Sequence, residues 1–443
     1  MKEIIKKVIK CCAGFRLYLL YLLKSKFSKS EHVLDSISYK LYWSLPIIKT
    51  PKYLQIMKKN EEMAIYNIVK KDKIRIAFVV YTGSMWFLDE LYNLLNQNHR
   101  FEVAIIVGHM IMKTYESSHD EYNKTIEFFR KRNYAIVSAD SVGEYDVLFY
   151  MTPYGFFEKN LNVSEVALSK VIYHASYSYM LSGKTEKLLL DMYHWSYRYY
   201  TDSVFYLNQL KKTKNYSNNG KYLGYPKMDQ YFVTESKRIS NKKTIIYAPH
   251  HSVTYKEFKS ATFDKNYLFF LELIKKYKED VFWIYKPHPF LRDRSVDAGI
   301  FSSLSEYDNY VNELKQTKAV LIAESGDYFD LFKASDAMIT DSVSFLAEYQ
   351  FTGKPLLLLM SGEQTYNDFG NAIVDILYKC PGDDYKAIEK FLNDIISSVD
   401  PMYINRKEFF DKNLNYLNEC SDSSNKRIYN DILNTFSNNK IAQ

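Results

Sequence analysis

The feature that most constrains the fold is an alternation of short apolar segments with helical segments, which occurs in two runs along the chain. The first run includes the apolar stretches 74–80 and 101–107, and a polar stretch at 235–243 separates it from the second run. Strands that alternate with helices in this way indicate parallel βαβ units. Two such runs predict an α/β protein with two facing Rossmann-like domains, which would bind a ligand at the carboxyl ends of their strands.

The pattern also predicts where the elements and domains lie. We expect an N-terminal helical extension at 1–72, an N-terminal domain at 73–235, a C-terminal domain at 243–384, and helices at 385–443 that pack back on the body. A chain of 443 residues exceeds the usual size of a single core, in agreement with two domains. The predicted strands are 74–80, 101–107, 135–138, 145–150, 171–173, 203–206, 244–248, 281–286, 319–322, 337–340 and 355–359. The predicted helices between strands of the second run are 267–277, 306–316, 327–334 and 345–351.

Composition argues against several classes of protein. The net charge of +7 arises from 59 basic and 52 acidic residues and is dispersed, so no nucleic-acid partner is expected. The 4 cysteines have neither the number nor the spacing of a disulfide framework or a zinc site, which indicates a reducing cytoplasm. No Asp-x-Asp pair suited to a divalent ion stands out, so we expect no metal.

The N-terminus has a basic and apolar pattern. Lysines precede the apolar run 11–23, but Arg16 interrupts this run and no small-residue cleavage site follows it. On a helix, the apolar residues of 4–23 share a broad face opposite basic side chains, as in a helix that lies on an anionic membrane surface. The alternative is a helix that packs on the protein's own core. The first interpretation predicts a cytoplasmic protein that is peripheral on the inner face of the cell membrane.

Polar side chains follow three of the predicted strands in the second run. Because the carboxyl ends of neighbouring parallel strands line one crevice, these side chains are expected to meet. A lysine beside a histidine supplies positive charge and donors for a diphosphate, and hydroxyl groups where a helix begins supply neutral donors. A histidine that titrates near neutrality can also move a proton. The candidates are His250, His251, Lys286, His288, Thr340, Asp341, Ser342 and Ser344.

Each of these residues also has a purely structural interpretation. Pro249 and Pro287 can simply end strands, and the serines or Asp341 can cap the helix that follows. The recurrence of polar residues at three strand ends of one domain favours a binding site for a phosphorylated, nucleotide-activated substrate.

The same motifs carry a resemblance to a known family. The stretches Tyr-Ala-Pro at 247–249, Lys-Pro-His-Pro at 286–289, Ser335 to Ser344 and Gly-Lys-Pro at 353–355 resemble the C-terminal domain of the CDP-glycerol glycerophosphotransferases, the teichoic-acid and capsule polymerases. The segment 224–229 resembles the one that precedes that domain in the family. The likeness covers about residues 75–375 and is strong from Gly224 onward.

This resemblance implies a GT-B fold and a reaction. The expected reaction moves an alditol phosphate from a CDP-linked donor to a hydroxyl group of a glycan or lipid-linked acceptor, and releases CMP without a cofactor. By position, His288 would contact or protonate near the donor phosphates, Thr340, Ser342 and Ser344 would hold the pyrophosphate, and Glu348 could reach the ribose. His250 occupies a position where family members often have a hydroxyl residue.

The N-terminal domain departs from the family pattern. Members commonly carry a Trp-His-Gly-Thr type segment whose histidine is proposed to be the base, and the nearest counterpart here is 172–177, which keeps His174 but lacks the tryptophan and glycine. The resemblance therefore implies that His174 is the base. Two other interpretations remain open: a GT-B glycosyltransferase that uses a nucleotide sugar, and a membrane-bound scaffold that retains the fold without turnover.

Overall fold

The computed structural model describes residues 51–109, 115–152, 159–183, 192–213, 218–253, 259–324, 328–418 and 421–437. These residues divide into two compact units. The first unit comprises Met1–Tyr177, Lys187–Lys227 and Ser421–Gln443. The second unit comprises Ser178–Glu186 and Met228–Cys420. The chain thus changes unit before the polar stretch at 235–243. The amphipathic segment proposed for membrane binding, residues 1–27, lies outside the described residues.

The first unit is built on a parallel sheet of seven strands. Their order is β3-β2-β1-β4-β5-β6-β7, and β1 is buried along almost its whole length. The strands are β1 (Ile74–Val80), β2 (Phe101–Val107), β3 (Ile136–Val137), β4 (Val147–Tyr150), β5 (Val171–Ala175), β6 (Arg198–Tyr200) and β7 (Gly220–Lys221). The helices up to the end of this part of the chain are α1 (Pro51–Val69), α2 (Asp89–Gln97), α3 (Tyr115–Arg130), α4 (Val163–Val166) and α5 (Val204–Lys211).

One predicted strand is wrong. Residues 203–206 begin α5 instead of forming a strand, because the Ser203 side chain accepts a hydrogen bond from the backbone N–H of Tyr206 and caps the helix. The strand of this region is β6, which pairs with β5 through His174 and Tyr199.

The second unit contains a parallel sheet of six strands in the order β10-β9-β8-β11-β12-β13. The strands are β8 (Lys243–Ala248), β9 (Val281–Tyr285), β10 (Val320–Ile322), β11 (Ala337–Thr340), β12 (Leu356–Met360) and β13 (Tyr378–Pro381). The helices are α6 (Pro226–Val233), α7 (Phe263–Lys276), α8 (Leu291–Asp297), α9 (Leu304–Gln316), α10 (Phe329–Ala334), α11 (Phe345–Glu348), α12 (Asp368–Val374), α13 (Tyr385–Ile396) and α14 (Tyr403–Asn413). The predicted α/β fold with two Rossmann-like units is therefore confirmed.

The strand order places the carboxyl ends of β9, β8 and β11 next to each other in the second unit. Strands β9 and β10 are added on one side of β8, and strands from β11 onward are added on its other side, so the order of addition reverses between β8 and β11. Thr340 of β11 pairs with Ala248 of β8, and Tyr285 of β9 lies opposite Tyr247 of β8. Such a reversal leaves a crevice at the carboxyl ends of the strands. The segments that leave these ends are named here the β8 loop (249–253), the β9 loop (286–290) and the β11 loop (341–344).

The chain returns to the first unit through α15 (Ser424–Thr435). Asp431 on this helix accepts a hydrogen bond from the Tyr200 hydroxyl at 2.9 Å and forms an ion pair with Arg198 at 3.0 Å. These contacts tie α15 to β6. Within the described ranges, no helix has both the length and the apolar character needed to cross a bilayer.

Candidate active site

The three loops of the second unit meet, as the sequence predicts for neighbouring strand ends. The backbone N–H of His288 donates to the carbonyl of Pro249 at 3.0 Å, which joins the β9 loop to the β8 loop. The backbone N–H of His250 donates to Oδ1 of Asp341 at 2.6 Å, which joins the β8 loop to the β11 loop. Backbone and side-chain hydrogen bonds therefore hold the loops together.

Asp341 is the centre of this connection. Its buried carboxylate also accepts hydrogen bonds from the backbone N–H of Thr262 at 2.6 Å and from the Thr262 hydroxyl at 2.9 Å. Burial raises the pKa of Asp341 to about 6, and the hydrogen bonds from Thr262 and His250 oppose that rise. A carboxylate with these partners holds the β8 loop in position. Contact between Asp341 and the substrate stays a prediction, and these hydrogen bonds do not favour it.

Three histidines of the β8 and β9 loops form a cluster. The ring centroids are 4.2 Å apart for His250 and His251, 3.9 Å for His251 and His288, and 5.2 Å for His250 and His288. One ring nitrogen from each lies within 4.8 Å of the others, a spacing that can accommodate a metal ion although the sequence predicts none. All three residues are partly exposed. We refer to these residues as the histidine cluster.

The histidine cluster is uncharged at neutral pH. Burial, and then the charge of Lys286, lowers the pKa of His288 to about 4. Burial, with His288 and Arg294 nearby, lowers the pKa of His251 to about 3. Burial and the two other histidines hold the pKa of His250 well below its ordinary value. The rings therefore offer neutral N–H donors or nitrogen lone pairs.

The hydroxyl groups after β11 differ in their surroundings. The Thr340 hydroxyl is fully buried, donates to the carbonyl of Ala248 at 2.6 Å and accepts from the backbone N–H of Ser342 at 3.0 Å. Thr340 thus stabilises the β8–β11 junction, and its predicted contact with pyrophosphate stays a prediction that this geometry does not favour. Ser342 is buried at the same junction, whereas Ser344 is exposed at the start of α11.

Lys286 and Glu348 lie in the interior near the crevice. The ammonium group of Lys286 lies 3.5 Å from the carbonyl of Ala323 and 5.5 Å from the ring centroid of Tyr328, and burial lowers its pKa. Glu348 is fully buried and accepts a hydrogen bond from the Tyr328 hydroxyl. Its predicted contact with a ribose stays a prediction, and its observed hydrogen bond serves the packing of α11 against the residues around Tyr328.

His174, the predicted base, occupies a different setting in the first unit. It lies inside β5, is 0% exposed and stacks on Tyr199 at a centroid distance of 4.6 Å. Burial lowers its pKa to about 3, and the nearby backbone of Thr152 only partly opposes this effect. A ring that solvent cannot reach has no path to an acceptor hydroxyl in this structure, so the geometry argues against the role that the sequence suggests.

Sequence reasoning overlooked the residues that support the histidine cluster. Thr262 holds Asp341, and Ser252 with Ser260 surrounds Nδ1 of His250. A Cβ atom on Gly382 would lie 2.4 Å from Cβ of Thr262, so this glycine allows the close approach of Thr262. Thr262 and Gly382 are distant in sequence and carry no local signal.

The fold and the clustered strand ends define an α/β protein with two Rossmann-like units and a group of polar side chains at the strand ends of the second unit. Residues 166–434 match the family described as CDP-Glycerol:Poly(glycerophosphate) glycerophosphotransferase, and the chain belongs to this family. The matched range includes the whole histidine cluster and the three loops around it. This membership confirms the resemblance that the sequence motifs indicate.

Comparisons with individual proteins agree with this family. The chain is 27% identical over 225 residues to the teichoic acid glycerol-phosphate primase of Bacillus subtilis (strain 168), a stretch that covers 48% of this chain and 51% of the primase. The match therefore spans about half the length of that curated relative.

Solved structures of low sequence identity share the fold. The wall teichoic acid polymerase TagF, solved after a soak with CDPG, aligns with a TM-score of 0.51 at 12% identity over 86% of this chain and 93% of that chain. A Listeria monocytogenes protein assigned as a UDP-N-acetylglucosamine 2-epimerase aligns with a TM-score of 0.50 at 12% identity over 83% of this chain and 97% of that chain. Both alignments support the GT-B-like architecture with two Rossmann-like units.

Proposed function

We propose that the protein transfers an alditol phosphate, such as glycerol phosphate, from a CDP-linked donor to a hydroxyl group of a cell-surface glycan or glycolipid, and releases CMP. The observation that carries this proposal is the convergence of the β8, β9 and β11 loops on the histidine cluster, within the part of the chain that matches the glycerophosphotransferase family. The donor diphosphate would lie against this cluster.

The reaction requires little covalent chemistry from the protein. The acceptor oxygen attacks the β-phosphorus of the donor, and the bond from that phosphorus to the oxygen bridging the α-phosphate breaks. The bridging oxygen leaves with CMP, and the acceptor proton passes to a base or to solvent. Positioning and charge stabilisation would then provide most of the rate enhancement.

The residues of the second unit would divide this work. His288 is partly exposed beside the crevice and is proposed to donate a hydrogen bond to a phosphate oxygen of the donor. Lys286 is buried, its charge acts on His288, and it would stabilise the negative charge that develops on the leaving CMP. Ser344 and the Ser342 segment would supply donors from the β11 loop, while Thr340 and Asp341 would maintain its shape. The proposal does not use His174 as the base, because its ring is enclosed within the first sheet.

We also propose that the protein acts at the inner face of the cell membrane. The support is the sequence pattern of residues 1–27, whose apolar face is bordered by lysines as in helices that lie on anionic surfaces. A chain that begins at residue 28 should lose its association with anionic vesicles in a flotation assay. Unchanged flotation would reject this part of the proposal and leave the transfer reaction untouched.

The test of the transfer reaction is CMP release from CDP-glycerol in the presence of a glycan or lipid-linked hydroxyl acceptor. We expect acceptor-dependent CMP release, and we expect CDP to raise the melting temperature more than UDP or GDP does. Stabilisation by UDP together with turnover of a UDP-sugar would instead support a glycosyltransferase. Binding of CDP without any product would support a scaffold.

A further inference from the structure

The spacing of the histidine cluster suits two ligands of opposite charge, a metal cation and a phosphoryl anion. Three neutral imidazoles can surround a divalent transition metal, which needs a nitrogen lone pair from each ring. The same rings can instead surround a phosphoryl group, which needs an N–H from each ring. The choice depends on which ring nitrogen carries the proton, and the hydrogen bonds of the structure determine this for two of the three rings.

His288 has its Nδ1 atom occupied by a backbone donor. The N–H of Phe290 donates to Nδ1 of His288 at 3.1 Å. A backbone amide can only donate, so Nδ1 is the acceptor and the proton of the neutral ring resides on Nε2. A metal at Nε2 would require a proton on Nδ1, directly opposite the N–H of Phe290.

The hydrogen bonds around His250 indicate the same tautomer, with the ring proton on Nε2. The backbone N–H of Ser252 donates to Nδ1 of His250 at 3.3 Å. The Ser252 hydroxyl oxygen accepts from the backbone N–H groups of Ser260 at 3.1 Å and Ala261 at 3.2 Å, which occupy both of its lone pairs. The Ser252 hydroxyl must therefore donate its proton, either to Nδ1 of His250 at 2.9 Å or to the Ser260 hydroxyl at 2.8 Å, which itself lies 3.1 Å from Nδ1. In both cases the backbone N–H of Ser252 donates to Nδ1, so Nδ1 is an acceptor and the proton of the His250 ring lies on Nε2.

We propose that the histidine cluster is a neutral oxyanion site: Ser252 and the N–H of Phe290 hold His250 and His288 as Nε2–H donors, so that the cluster takes phosphoryl oxygens and rejects divalent transition metals. His250 is then a second donor beside His288, at the position where the family motif often has a hydroxyl residue. Ser252 is a positioning residue, because it acts through the His250 ring. This inference rests on the proposed function only for the identity of the phosphoryl ligand.

The Ala and Gln variants of His250 separate the two chemistries. A glutamine can place an amide N–H near the position of Nε2, but its amide is a poor metal ligand. With inorganic pyrophosphate as the calorimetric probe, His250→Ala should weaken binding about tenfold or more, the value of one hydrogen bond to a charged acceptor, and His250→Gln should stay within about threefold of the parent. His99→Ala, an exposed histidine of the first unit, is the matched control and should leave pyrophosphate binding unchanged.

Two further measurements make the inference falsifiable even if a variant fails to fold. In ¹⁵N NMR of the parent protein, the side chains of His250 and His288 should show the Nε2–H tautomer, and Ser252→Ala should weaken this preference for His250 only. Zinc titration of the parent should show no stoichiometric site that depends on His250. Nδ1–H tautomers, or zinc binding that both His250→Ala and His250→Gln abolish, would overturn the inference. Absence of CMP release from CDP-glycerol while pyrophosphate still binds would contradict the proposed function alone.

Discussion

The two units place histidines in opposite surroundings on sheets of nearly the same strand order. In the first unit, His174 lies inside β5 between β4 and β6, and its ring is closed off from solvent. In the second unit, His250 and His288 come after the ends of β8 and β9 and are partly exposed. The comparison teaches that position relative to the strand end decides whether a histidine can meet a ligand. Both faces of a parallel sheet are covered, so the His174 ring within β5 is buried, whereas His250 and His288 follow strand ends and are partly exposed.

The strongest test of this comparison is a pair of substitutions, one in each unit. His288→Ala should lower the rate of CMP release from CDP-glycerol by about 10²- to 10³-fold, the usual effect of removing one group that stabilises the transition state. His174→Phe keeps the stacking on Tyr199 and should stay within about threefold of the parent, because the ring does not reach the reacting atoms. A comparable fall in the rate of CMP release in both variants, with unchanged melting temperatures, would instead support His174 as the base.

A second prediction concerns the carboxylate that joins the loops. Asp341→Ala leaves the buried N–H groups of His250 and Thr262 without their acceptor, so it should lower the free energy of unfolding by about 2–4 kcal/mol. Asp341→Asn retains one acceptor oxygen and should lose about half as much. Urea denaturation followed by circular dichroism measures both values. An Asp341→Ala protein as stable as the parent would mean that other contacts hold the β8 and β11 loops.

The third prediction uses the buried neutral histidine of the first unit. The pKa of His174 is about 3 in the folded protein and near its ordinary value when unfolded, so the unfolded state binds the additional proton as the pH falls below 6.5. Stability is therefore complete above this pH and is lost as the pH falls. At pH 5 the loss from this group is about 2 kcal/mol.

Denaturation at pH 7 and pH 5 measures this loss. His174→Phe cannot take up the proton, so its stability should fall less between the two values, by about 2 kcal/mol. His99→Phe replaces an exposed ring of the first unit and controls for the substitution itself. An identical pH dependence in parent and His174→Phe would show that the ring is hydrated or protonated in the folded state.

The smallest predicted effect concerns packing beneath the histidine cluster. A methyl group on Gly382 would meet Thr262 at 2.4 Å, so Gly382→Ala should destabilise the second unit by about 1–2 kcal/mol and weaken binding of CDP as Thr262 moves. Gly143→Ala, in the first unit, has no neighbouring atom within 4 Å of the new methyl group and should be close to neutral. Equal melting temperatures for the two variants would show that Thr262 can shift without cost.

The sequence predicts the alternation and the strand ends well because buried parallel strands are continuous apolar runs. β1, β2 and β11 have the predicted bounds, and the convergence of three strand ends follows from the order of strands in such sheets. Short strands near the sheet edge are harder to predict: β6 has three residues and β7 has two, too few for a periodic pattern. Residues 203–206 are harder to assign because a segment of four residues is too short to distinguish a helix capped by Ser203 from a strand.

The chemistry of individual side chains is less predictable than the site itself. The motif at 340–344 indicates a polar crevice, yet Thr340 and Asp341 make their hydrogen bonds to Ala248 and Thr262. Those partners lie about 80–90 residues away in sequence, so only the folded chain reveals that the polar groups are already satisfied. The tautomer of His250 likewise depends on Ser260, which enters from the segment before α7.

A crystal structure of the protein with CDP bound tests the central claim most directly. The account predicts that the diphosphate lies in the second unit, with phosphate oxygens within hydrogen-bond distance of Nε2 of both His250 and His288. A diphosphate bound at the strand ends of the first unit, or one separated from both histidines by a metal ion, would contradict it.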